Sequence, residues 1–193
     1  MIGIFLDTET NGLNPHKHCL LELAYKILDV ETGALICQYQ AVVAQSKTRW
    51  DLSDPNSLLV NGFSWDLVCS GTVPEEVSGA VITSFAKAGV KRGDAVFICQ
   101  NPSFDRAFFS QLIDPDLQEA LGWPYHWLDL ASMYWATSIS KKPSPWETGV
   151  SKDKISENYT LAPEQKPHRA MNGVDHLISC YEAVVGFPQK LSV

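Results

Sequence analysis

The run Ile2-Gly-Ile-Phe-Leu-Asp7-Thr-Glu9-Thr-Asn-Gly12-Leu13 constrains this chain more than any other stretch. A short apolar run, Ile2 to Leu6, leads into two carboxylates at i and i+2, and Asn11-Gly12 closes the segment with a turn signal. Side chains alternate along a strand, so Asp7 and Glu9 leave the same face, roughly 6–7 Å apart at their Cα atoms. Carboxylates crowded on one face repel unless a cation stands between them. Hard divalent ions with oxygen ligands, Mg²⁺ or Mn²⁺, suit that place. An isolated Asp-x-Glu also reads as the solvated end of a strand where the chain turns, so the pair decides nothing until other groups join it.

The 193 residues are enough to bury a core without staples and read as one domain spanning 1–193. With 45% hydrophobic and 19% charged residues, the composition is that of an ordinary globule. No apolar run reaches bilayer-spanning length, and the first strand lacks the basic flank of a signal peptide, which predicts a cytoplasmic protein with no membrane partner. Cys19, Cys37, Cys69, Cys99 and Cys180 are odd in number and lack zinc-type spacing, so they read as reduced thiols. A net charge of −7 argues against gripping long nucleic acid on a broad basic face. It leaves room for an enzyme that holds a chain end, because a metal-filled carboxylate cluster carries positive charge of its own.

Leu20–Val30 and Ala34–Val43, joined through Glu31-Thr-Gly33, read as an antiparallel hairpin that follows the first strand. Glu22, among apolar neighbours, reads as a strand residue whose carboxylate meets a sheet-edge or loop donor. Residues 45–73 look irregular, with one brief helix over Pro55–Val60 and with Trp50, Phe63 and Trp65 as anchors. Pro74-Glu-Glu opens a helix that runs to Gly89. Asp94–Cys99 reads as a buried strand, Ser103–Ile113 as a helix stopped by Asp114-Pro115, and Tyr125–Asp129 with Leu130–Ala136 as a further strand and helix. A short helix near Ser151–Asn158 and a final helix after Pro167 complete an α/β mixed sheet flanked by helices.

Two more segments join the first. In Gln100-Asn-Pro-Ser-Phe-Asp105-Arg-Ala-Phe-Phe109, Asp105 falls in the first turn of a helix leaving a buried strand, a place where ligands gather in α/β sheets and where the helix dipole also favours an acid. In His168-Arg-Ala-Met, the histidine stands at the mouth of the last helix. Together, in this order, the segments resemble the DEDDh group of 3′-to-5′ exonucleases, the superfamily of the DNA polymerase III proofreading subunit, RNase T and oligoribonuclease. FLDTETNGL matches the first motif, QNPSFDRAFF the second and HRAM the start of the third, so the resemblance covers nearly the whole chain.

The resemblance implies a ribonuclease H-like fold and a metal-dependent nuclease that releases nucleoside 5′-monophosphates from the 3′ ends of single-stranded DNA or short RNA. It implies two Mg²⁺ or Mn²⁺ ions, with Asp7 bridging them, Glu9 on the water-activating ion, Asp105 on the other and His168 as general base. Thr10 and Leu13 would receive the terminal nucleotide, with Asn101 and Phe104 near that pocket. Some relatives are dimers, which makes a second copy a candidate partner.

One position departs from the pattern. The family places an aspartate five residues after the histidine, and Gly173 stands there. Asp175 is the candidate substitute, although two residues along a helix turn a side chain by about 200°. The loss raises an alternative, a weakened or inactive relative that binds nucleic-acid ends or a protein partner. Trp123, Trp127, Trp135 and Trp146 could stack on bases or serve as core and loop anchors. Lys141, Lys142, Lys152, Lys154, Lys166 and Arg169 form a basic-leaning region, read as either a phosphate-guiding edge or a solvated loop.

Overall fold

The computed structural model describes residues 1–189. Strands β1 (Ile2–Thr10), β2 (Leu20–Asp29) and β3 (Leu35–Val42) are followed by helices α1 (Lys47–Trp50), α2 (Pro55–Asn61), α3 (Trp65–Cys69) and α4 (Pro74–Ala88). Then come β4 (Ala95–Cys99), α5 (Pro102–Phe109), α6 (Pro115–Ala120), β5 (Trp127–Asp129), α7 (Leu130–Ser138), α8 (Pro145–Thr148), α9 (Lys152–Asn158) and α10 (Ala170–Val184).

The sheet order is β3-β2-β1-β4-β5. β1 lies at its centre, antiparallel to β2 and parallel to β4, while β5 runs parallel to β4. The expected mixed sheet, three antiparallel-linked strands and then parallel ones, is therefore the observed one.

Alternation along β1 divides the molecule. Ile4 and Leu6 point into a core with Tyr25, Phe85, Phe97 and Phe108, beneath α4 and α5. Phe5 points to the opposite face, where Val174, Leu177 and Tyr181 of α10 and Leu130 and Tyr134 of α7 close a second core. Asp7 and Glu9 share the parity of Phe5, so the carboxylates project from the face that α10 covers.

Residues 45–73 are more ordered than their composition suggests. α1 and α3 each begin at a serine, Ser46 and Ser64, whose side chain accepts from the backbone N–H three residues on. Phe63 and Val68 join Cys19 and Leu21 in a small third core, with Trp50 packed against it. Asp114-Pro115, expected to stop a helix, instead caps and opens α6 with its Pro at the first turn. Ser144 and Glu147 start α8 as a capping box, the glutamate accepting from the Ser144 N–H at 2.6 Å. Both signals are local, and both lie in stretches whose apolar periodicity is too short to mark a helix.

Glu22 meets the expected kind of donor. Its buried carboxylate accepts from Ala170 N at 2.8 Å and from Gln40 Nε2 at 2.8 Å. It thereby holds the first residue of α10 to β2, in a helix whose N-cap, Arg169, makes no side-chain cap bond. Glu22→Ala would leave a buried N–H without an acceptor, at a cost of about 1–3 kcal/mol. Urea denaturation of the variant should show that loss, and an unchanged midpoint would mean that the entry to α10 is held by other contacts.

Candidate active site

Asp7, Thr8, Glu9, Gln100, Phe104, Asp105, Ser151, Lys152, Asp153, Glu164 and His168 line one cleft of about 290 Å³ at the end of the sheet. A larger groove, about 560 Å³, lies between β3 and α4. Its walls carry one ammonium, Lys87, and no carboxylate, so the titratable groups gather in the smaller cleft. The three segments singled out from the sequence thus meet in one place, 7–9 at the end of β1, 105 in the first turn of α5 and 168 just ahead of α10.

Each acid is held differently. Asp105 is buried and accepts from Thr8 Oγ1 at 2.8 Å. Burial first, and the Asp7 charge second, push its pKa well above the usual carboxylate range. Glu9 is pushed up to about 8 by burial and by Asp7, with a hydrogen bond from Asn61 working the other way. Asp7 is also raised, by burial, although the Lys152 ammonium opposes the rise. Buried acids that resist ionisation where they stand mark a place short of positive charge.

Glu164 behaves in the opposite sense. Burial would raise it, but hydrogen bonding to His176 and His168 and the Lys152 charge bring it down to about 2. Its Oε1 lies 2.7 Å from His168 Nδ1, and its Oε2 lies 3.3 Å from Lys152 Nζ and 3.4 Å from His176 Nδ1. The contact at Nδ1 leaves Nε2 as the nitrogen of His168 free to face the cleft.

Lys152 lies neither in a solvated loop nor on a phosphate-guiding edge. From the first turn of α9 its ammonium enters the cluster, 3.1 Å from Asp7 Oδ1 and 3.4 Å from Gly173 O. Burial alone would lower its pKa, but Asp7 and Glu164 outweigh that and the net shift is upward. Of its basic neighbours, Lys154 pairs with Glu157 on the surface, Lys141 lies over Tyr159 and Arg169 stacks on Phe63 at 4.2 Å.

Asp175 does not join the cluster. It is exposed and paired with Lys26, because the turn from Gly173 to Asp175 carries the side chain away from Asp7. Gly173 itself faces the site, and a Cβ built on it would meet Asp7 Oδ2 at 2.3 Å. Of the expected nucleotide-binding residues, Phe104 lines the cleft. Thr10 is buried and donates to Gly12 O at 2.9 Å. Asn101 is an exposed residue with φ 56° whose N–H donates to Asp129 Oδ1 at 3.0 Å, and Leu13 is 73% exposed in the loop after β1. Neither Thr10, Asn101 nor Leu13 lines the cleft.

Trp123 and Trp127 belong to the aromatic core, the latter stacked on Phe97 at 4.0 Å. Trp135 and Trp146 form an exposed pair at 5.6 Å.

No protein-family model matches the chain. It is 29% identical over 111 residues to Ribonuclease T of Actinobacillus pleuropneumoniae serotype 5b (strain L20), a match covering 55% of this chain and 51% of that protein. Among solved structures, E. coli Exonuclease I in complex with a dT13 oligonucleotide superposes with a TM-score of 0.74 at 15% identity, over 95% of this chain and 40% of that one. The resemblance to the DEDDh exonucleases holds. The zinc-bound E. coli Exonuclease I–ssDNA complex gives 0.76 at 16% identity, covering 95% of this chain and 40% of that one. Exonuclease I from Methylocaldum szegediense gives 0.75 at 15%, with the same two coverages. The chain spans about half the length of the curated relative and about two-fifths of these structures, and it shares with them the ribonuclease H-like fold.

The donor chemistry at Asp7, Glu9 and Asp105 fits a hard divalent cation, being all carboxylate oxygen, buried at Asp105 and partly buried at Asp7 and Glu9, with one ammonium, Lys152, against Asp7. It fits a second such ion less well, since one Asp7 oxygen already holds an ammonium and the acid expected at Gly173 is missing. Among the described residues, no three His, Cys, Asp or Glu side chains stand arranged around one point as ligands.

Glu164, Ser151 and Asp153 went unread in the sequence as site residues, and Lys152 was read only as one of a basic-leaning group. A signal for the first existed in the four-residue spacing from Glu164 to His168. Lysine in a polar stretch carries none.

The close approach at Gly173 has a measurable cost. Gly→Ala inside a helix ordinarily gains about 1 kcal/mol, but here the methyl group would drive the Asp7 carboxylate off Lys152. Gly173→Ala should therefore lower the urea midpoint despite its better helix propensity, and a rise would show that Asp7 swings aside freely.

Proposed function

We propose that the chain is a divalent-metal-dependent 3′-to-5′ exonuclease, hydrolysing phosphodiesters at the ends of single-stranded DNA or short RNA and releasing nucleoside 5′-monophosphates. The observation that carries this is the convergence of Asp7, Glu9, Asp105 and His168 on one cleft beside Phe104. The likeness in sequence to Ribonuclease T and in fold to Exonuclease I supports the same chemistry.

A divalent cation held by Asp7, Glu9 and Asp105 would supply Lewis-acid stabilisation of the charge that develops on the phosphoryl oxygens. His168 Nε2 takes a proton from the attacking water, while Glu164 at Nδ1 fixes the ring and steadies the imidazolium that results. The water oxygen bonds to phosphorus, and the bond from phosphorus to the 3′ oxygen of the preceding nucleotide breaks. That oxygen leaves as a 3′-hydroxyl after gaining a proton from solvent. Phe104 offers an aromatic face for the terminal base, a contact that tolerates any sequence.

Gly173 and the partly buried Lys152 favour a second reading, a relative that binds 3′ ends without cleaving them. An oligonucleotide labelled at its 3′ end separates the two. Release of labelled mononucleotide by wild type with Mg²⁺ or Mn²⁺, abolished by Asp7→Ala and reduced about 10²–10⁴-fold by His168→Ala, is the expected result. Tight binding by fluorescence anisotropy, with no release under either metal, would support the binding reading and overturn hydrolysis.

A further inference from the structure

We infer that the Lys152 ammonium is a built-in cation of the carboxylate cluster, taking the place of a second divalent ion, so that the cleft binds one divalent ion rather than two. This rests on the proposed reading of the cleft as a metal-dependent nuclease site.

Three oxygens surround Nζ. Asp7 Oδ1 lies at 3.1 Å, Glu164 Oε2 at 3.3 Å and the Gly173 carbonyl at 3.4 Å. Two of the three are carboxylate oxygens on side chains mostly withdrawn from water, and the lysine side chain itself is 15% exposed. The ammonium is thus coordinated much as an ion would be, by groups from β1, from the segment before α10 and from α10 itself.

Its position is fixed from behind. Ser151 caps α9 by accepting from Lys154 N, Ile155 is buried in the core beneath α10, and Cys180 Sγ donates to Lys152 O at 3.8 Å. Lys152 is therefore anchored at its backbone rather than draped from a free loop.

Gly173 makes the room. A side chain there would occupy the space against Asp7, since even a Cβ comes within 2.3 Å of Oδ2. With only hydrogen at Gly173, the Asp7 carboxylate and the Gly173 carbonyl are both open to Nζ. The absent acid and the present ammonium are two sides of one exchange, in which a carboxylate that would share a second ion is deleted and a fixed positive charge is put in.

One Asp7 oxygen cannot serve both the ammonium and a nearby divalent ion without setting two cations within a few ångströms of each other. Glu9, Asp105 and the other Asp7 oxygen remain for a single ion, with Asp153, at the exposed rim, the one further carboxylate besides Glu164 that lines the cleft.

The test counts bound Mn²⁺. Full-length protein is titrated with MnCl₂ and free Mn²⁺ is followed by its electron paramagnetic resonance signal, alongside release of 3′ label. Wild type should bind one Mn²⁺ per chain, Lys152→Met should bind two, and Lys152→Arg, which keeps the charge, should stay at one. Two Mn²⁺ of similar affinity in wild type would overturn the inference, with no variant needed. If that protein also releases label, the nuclease reading survives alone. One Mn²⁺ rising to two in Lys152→Met, without label release, supports the built-in cation and sinks the hydrolytic reading instead. No bound Mn²⁺ at all overturns both.

Discussion

Carboxylates gathered away from bulk water at the end of a central strand can persist only if positive charge comes to them or protons stay on them. Asp7, Glu9, Asp105 and Glu164 divide along that line. Glu164 has two histidine nitrogens and an ammonium within reach and is pulled down to about 2. Glu9 and Asp105 have an asparagine amide and a threonine hydroxyl and are pushed up. The contrast comes from partners more than from depth, since burial is the first cause acting on all of them and opposes ionisation each time. A cleft built this way holds unmet demand for positive charge on the β1–α5 side and satisfied demand on the α9–α10 side.

The line between those sides runs through Gly173. α10 is held at its first residue by Glu22 and packs Val174 and Leu177 onto Phe5, so the helix has little freedom to retreat from β1. At that separation a side chain at position 173 and the observed Asp7 rotamer cannot coexist. The helix could carry an acid there only with Asp7 turned, which would take Asp7 from Lys152. The glycine, the lysine and the helix placement are therefore one structural decision, and the exposed pair of Asp175 with Lys26 is its by-product on the far side of the same turn.

Much of this was legible in the residues. Period-two alternation put Asp7 and Glu9 on one face, and the hairpin spacing built the antiparallel half of the sheet. The Pro74 start with the Gly89 stop bounded α4. Asp105 and His168 each sit at a helix entrance readable from the sequence, after a buried strand in one case and after Pro167 in the other, and the order of the three motifs joined them to Asp7 and Glu9. What stayed hidden is long-range or very short. The serine caps of α1 and α3 govern helices of four and five residues, too brief for any apolar stripe. Lys152 is separated from Asp7 by 145 positions, and nothing near it in sequence distinguishes it from Lys154, whose ammonium meets Glu157 at the surface. Charge in a polar stretch reports composition, whereas its destination depends on where the helix carrying it docks.

Glu164 ties the two halves of the proposed chemistry together. Its Oε1 meets His168 Nδ1 while its Oε2 meets Lys152 Nζ, so one rigid carboxylate sets the position of both the base and the internal cation. In the proposed step a proton taken up by His168 would lie against the Glu164 carboxylate, which its partners hold down to about 2. The same carboxylate spares Asp7 from being the sole counter-charge of Lys152, leaving its second oxygen for a ligand. A net charge of −7 is no obstacle to a phosphate substrate in such an arrangement. Under the proposed chemistry a phosphate would meet the local field of an ammonium and a divalent ion, focused by the walls of the cleft, and at these distances that field would outweigh dispersed surface acids screened by salt.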